Sequence, residues 1–177
     1  AVARHQLVVD EAVPDPDHFV IRDLAGRLHR RQVGAVVFRA GVIGDEKQAA
    51  RLKKRLGEIK SAFTREYFSA SGRLAHNDQT SYALAFLHDL VPSRHMEAAK
   101  AYFRQIIIEA DYKIGTGFIG TPALLPALTK LGMDDIAAKV FLNREVPGWL
   151  YQVERGATTI WERWDALGED GTIYDPD

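Results

Sequence analysis

Short, nearly all-apolar helical segments alternate along this chain with longer amphipathic ones, and few folds satisfy that alternation. A helix that is apolar all round must be enclosed, whereas a helix with one apolar stripe covers it and turns its other side to water. The clearest amphipathic segment runs from Asp45 to about Phe68, with Ala49, Leu52, Leu56, Ile59, Phe63 and Tyr67 on one stripe and Lys and Arg opposite. A short apolar segment begins near Asp78 and carries Tyr82, Ala83, Leu84, Phe86 and Leu87. Pro92 opens the next amphipathic helix, with Met96, Ala99, Tyr102, Phe103 and Ile106 on its apolar side. Thr121-Pro122 is an N-cap and first-turn pair for a helix to about Leu131, which Gly132 ends. Asp134 to about Leu142 forms another helix, and the pattern predicts a final short one from near Thr159.

Before these, Phe19, Val20, Leu24 and Leu28 recur at helical spacing, while Pro14 and Pro16 keep the first 16 residues extended. The total is about seven helices, an all-α fold. The alternation predicts an inner ring, with helices starting at Asp78, Thr121 and Thr159, wrapped by an outer ring: a partial toroid of helical hairpins. Inner helices of a toroid run the same way. The loops Asn77–Thr80, Thr116–Phe118 and Gly156–Thr159 would then converge on one face, together with the positive ends of three helix dipoles.

Charge and composition exclude several classes of function. The chain has 23 Lys and Arg against 24 Asp and Glu, so it lacks the basic footprint of a nucleic-acid binder. The run Arg51-Leu52-Lys53-Lys54-Arg55 is broken by an apolar residue and reads as a solvated helix face. No apolar run approaches the roughly 20 residues that span a bilayer, so no membrane partner is expected. With no cysteine and no His-x-x-x-His spacing among six histidines, no metal and no other cofactor is implied. The loop Gly115–Gly120 lacks the Lys and the preceding strand of a phosphate-binding loop.

All three tryptophans fall between residues 149 and 164. Trp149 stands in Pro147-Gly148-Trp149-Leu150-Tyr151, and Trp161 and Trp164 bracket Glu162 in Trp161-Glu162-Arg163-Trp164-Asp165. An indole is a large flat surface suited to a sugar ring, and an apolar wall tunes a neighbouring carboxylate. Glu162 has two readings from spacing. It is a candidate acid or base, or it completes a capping box with Thr159. The tryptophans, likewise, are either sugar-facing or plain core.

Residues 156–165, Gly-Ala-Thr-Thr-Ile-Trp-Glu-Arg-Trp-Asp, resemble the signature of the bacterial α-L-rhamnosidases, inverting glycoside hydrolases with an (α/α)6 barrel. Three further blocks follow the family's order: Asp78–Ala85, Thr116–Pro122 with Leu124–Leu128, and Trp149-Leu150-Tyr151. The resemblance covers Gly44 to Asp177. It implies that residues 44–177 are the C-terminal part of such a catalytic domain and leaves residues 1–43 as an N-terminal segment not assigned to it. It implies Glu162 as general base, with Trp149, Trp161, Arg163 and Trp164 at the substrate, a terminal rhamnose of an oligosaccharide or glycoside. The family's acidic general-acid segment lies upstream and has no counterpart before Gly44, so the chain alone is expected to be weak or inactive. Asp165 lies on the same side of the sugar as Glu162 and is a poor acid. A partial barrel also exposes an apolar inner surface, which leads to an expectation of self-association. Two alternatives stay open: a helical-hairpin binding module without chemistry, and an (α/α)6 glycosidase with another sugar.

Overall fold

The computed structural model describes residues 41–173. From Asp45 onward six α-helices follow: α1 (Glu46–Tyr67), α2 (Gln79–Leu87), α3 (Met96–Glu109), α4 (Thr121–Lys130), α5 (Asp134–Phe141) and α6 (Trp149–Glu154). A 3-10 turn, Ser93–His95, leads from Pro92 into α3. Pairing between extended residues is limited, among the described residues, to the isolated bridges Phe68–Leu74 and Leu167–Ile173. The expected extended start and the helix from Asp17 lie outside the described residues.

The alternation of polarity becomes an alternation of burial. On α1 the stripe faces inward, with Phe63 buried and its companions half-buried, while Arg51, Lys53, Lys54 and Arg55 stand in solvent. Helix α2 is enclosed almost all round, from Gln79 and Thr80 through Tyr82 to Phe86. Its Tyr82 and Phe86 rings stack on Phe103 of α3, at centroid distances of 6.0 and 5.8 Å. Helix α4 packs against α2 and buries Ala123, Leu124, Ala127 and Leu128, and α5 covers α4 with Ile136 and Val140. The Tyr82 hydroxyl sits in this core with both roles used: it accepts from the Leu74 N–H at 3.1 Å and donates to Asn77 Oδ1 at 3.2 Å. Burial pushes its pKa above the ordinary tyrosine value.

Four helices stop in the same way. After α2, α3, α4 and α6 the residue in left-handed conformation is Asp89, Asp111, Gly132 and Gly156 respectively. In each case the following N–H reaches five residues back, as from Met133 to Leu128 O at 2.9 Å and from Ala157 to Gln152 O at 3.0 Å. This double-bonded stop satisfies carbonyls that a helix end otherwise leaves without partners. Where aspartate replaces glycine after α2, Lys130 binds both its carboxylate, at 2.7 Å, and the Phe86 carbonyl, at 3.0 Å.

Two expectations about helix starts need correction. Helix α4 begins at Thr121 itself, with Gly120 as the flanking residue, so Thr121 caps nothing. Its hydroxyl instead turns back and donates to the Gly117 carbonyl at 2.9 Å. The helix predicted from Thr159 is absent; the last helix starts at Trp149. Gly156, at φ +80°, turns the chain out of α6. The β-branched Thr158, Thr159 and Ile160 then resist helix. The third short helix is thus α6, which buries Tyr151 and Gln152. Phe141, Leu142, Val153, Ile160 and Ile173 leave apolar surface exposed on and after α5 and α6.

Candidate active site

Three segments meet where α2 and α4 begin. Gln79, at the start of α2, is buried and acts as a staple: its Nε2 donates to the Lys113 carbonyl at 2.9 Å, and its Oε1 accepts from the Gly115 N–H at 2.8 Å. A polar side chain opening an otherwise apolar inner helix is the signal that such a staple exists, because a buried amide needs partners. Gly120 lets α4 close on α2, since a Cβ there would lie 2.9 Å from the Thr80 Cβ. In the loop 115–120 the Gly115 N–H is bonded to Gln79 and the Gly120 N–H to the Gly117 carbonyl.

The segment after α6 is fastened across this loop. Trp164 Nε1 donates to the Thr116 carbonyl at 2.8 Å, and the Trp164 ring meets Trp149 edge-on at 5.3 Å. Trp149 in turn rests on Phe141 at 5.8 Å and on the core. Gln152 Oε1 accepts from the Trp161 N–H at 3.3 Å, and Tyr151 donates to the Leu167 carbonyl at 2.7 Å. The residues between are held from α6, not by a helix of their own.

Between the two loops lies a cavity of about 730 Å³. Its lining is Thr80, Ile114–Gly120, Pro147 and Glu162–Asp165. Two of the three expected loops therefore converge; the third contributes through residues 162–165 rather than 156–159. Of the residues singled out from sequence, Glu162, Arg163 and Trp164 line the cavity together. Trp149 lies behind Trp164, and Trp161 stands beside the lining without joining it.

The capping box does not form. Thr159 donates its hydroxyl to the Ile160 carbonyl at 2.9 Å, and no helix follows for Glu162 to cap. Glu162 is left as an exposed carboxylate on the cavity lining. Arg163 is committed differently. Its Nε and one terminal nitrogen each donate to an Asp165 oxygen at 3.1 Å. Those two bonds hold the Asp165 carboxyl below the usual carboxylate range. Among the described residues no group of three His, Asp or Glu assembles that could hold a metal ion.

Residues 28–173 match the family model of the bacterial α-L-rhamnosidase six-hairpin glycosidase domain. The chain belongs to this family. It is 36% identical over 131 residues to an α-L-rhamnosidase of Streptomyces avermitilis, covering 74% of this chain and 13% of that protein. It is also 36% identical over 132 residues to an α-L-rhamnosidase of Formosa agariphila, covering 73% of this chain and 14% of that protein. The chain thus spans about one-seventh of the length of these rhamnosidases. A crystal structure of the S. avermitilis α-L-rhamnosidase complexed with L-rhamnose superposes with a TM-score of 0.78 at 33% identity, over 83% of this chain and 14% of that one. The native α-L-rhamnosidase of Aspergillus terreus gives 0.77 at 31% identity, over 82% and 17%. The six helices of the described residues, among which there is no strand, thus form part of the six-hairpin α/α glycosidase fold of the rhamnosidases, in line with the expected partial toroid of helical hairpins.

Proposed function

We propose that this chain carries the general-base side of an inverting α-L-rhamnosidase site, with Glu162 as the base and terminal α-L-rhamnosides as substrates. The observation that carries this reading is the placement of Glu162. It is a carboxylate without a structural task, on the lining of a sugar-sized cavity, beside a tryptophan wall, in a family of rhamnosidases.

The chemistry follows from that placement. Glu162 takes a proton from a water molecule, and the water oxygen bonds to the anomeric carbon. The bond to the leaving oxygen breaks on the opposite face, where an acid supplies a proton. Trp164, fixed by Thr116 and backed by Trp149, offers its flat face to the sugar. Trp161 flanks the base, and Arg163 orients Asp165 as a charged hydroxyl acceptor. Asp165 supplies no proton, so the acid is another group. An NMR time course of rhamnoside hydrolysis tests the reading: β-L-rhamnose as first product supports it, and α-L-rhamnose as first product overturns it.

A further inference from the structure

Phe118 is the one large apolar residue of the cavity lining that is mostly in water: 70% of its surface is exposed. Its neighbour Ile119 turns inward and packs on the core. A single exposed apolar side chain is ordinary on a protein surface, and this ring is set apart by standing on the lining of a cavity. The loop that carries it is not loose. On one side of Phe118 the Gly115 N–H is held by Gln79 at 2.8 Å and the Thr116 carbonyl by Trp164 at 2.8 Å. On the other, Gly120 and Thr121 donate to the Gly117 carbonyl at 3.1 and 3.0 Å.

We infer that Phe118 is an aromatic platform for the leaving group, stacking on a planar, aromatic aglycone of the rhamnoside. The inference rests on the sugar-site reading above. In an inverting site the leaving group departs from the face opposite the base. Glu162 belongs to one lining loop, and Phe118 to the other. An exposed ring there meets the part of the ligand that extends beyond the terminal sugar, and an aromatic partner gains from offset or edge stacking.

Calorimetric titration of the protein with methyl and phenyl α-L-rhamnoside tests this. The protein should bind the phenyl glycoside roughly 3- to 10-fold more tightly than the methyl one. Phe118→Ala should reduce that preference to below about 2-fold with the methyl affinity unchanged, and Phe118→Trp should keep it. A preference that survives Phe118→Ala, or an equal weakening of both glycosides, overturns the platform while leaving the sugar site intact. Binding of neither glycoside by the unmodified protein overturns the sugar-site reading itself, and the platform with it.

Discussion

The indole N–H of Trp164 donates to the carbonyl oxygen of Thr116 at 2.8 Å, joining two loops 48 residues apart in sequence. This bond and the Trp149 contact behind it hold Trp164 on the cavity lining. Replacing Trp164 by Phe keeps an aromatic wall and removes the donor. The expected loss is about 1–2 kcal/mol of stability, one hydrogen bond with some packing, read from urea denaturation. Unchanged stability would mean that the two loops are held together elsewhere.

The two buried glutamines should respond differently. Gln79→Leu removes two good hydrogen bonds and leaves the Lys113 carbonyl and the Gly115 N–H without their partner. The expected cost is about 1–3 kcal/mol. Gln152 makes one long bond, and its buried Nε2 has no partner in the structure. Gln152→Leu should therefore stay within about 1 kcal/mol of the parent. Chemical denaturation of both variants side by side checks the contrast, and equal losses would contradict it.

Two glycines of one loop give a second contrast. Gly120→Ala places a Cβ 2.9 Å from the Thr80 Cβ at the junction of α2 and α4, and should destabilise by about 1–3 kcal/mol. Gly117→Ala meets no atom within 4 Å and should be tolerated. Melting temperatures decide the matter. A neutral Gly120→Ala would show that the junction opens easily.

The Arg163–Asp165 pair predicts an acid limb in stability. Arg163 lowers the Asp165 pKa below its ordinary 3.8, so its contribution is present above that value and is lost as pH falls through the lowered one. Both side chains are substantially exposed, and solvent screening holds the pair to about 1 kcal/mol or less. The stability gap between the protein and Arg163→Gln should be open at neutral pH, narrow below pH 3.8, and shrink with added salt. A gap that widens on acidification would contradict the assigned charge states.

Much of this architecture is legible in the sequence because period and polarity report enclosure directly. The stripe on α1 and the nearly all-apolar run of α2 each specify how much of the helix must be covered. The stop at Gly132 is equally local. The start of the last helix is not legible, because Thr159-Ile160-Trp161-Glu162 carries a genuine cap pattern, whereas what decides the outcome is non-local. Gly156 ends α6, and Gln152 takes the Trp161 amide. The same holds for the staple at Gln79, whose partners lie 34 and 36 residues away. Within the site, the motif places Glu162 and Trp164 on the lining. The exposure of Phe118 follows only from how the two loops are pinned.

The most direct test of the account is the turnover of 4-nitrophenyl α-L-rhamnoside by the natural chain that carries these residues, with and without Glu162→Gln. As general base, Glu162 should account for about 10²- to 10⁴-fold in kcat, with KM and L-rhamnose binding little changed. Full kcat in Glu162→Gln would show that the carboxylate at the cavity is not the base.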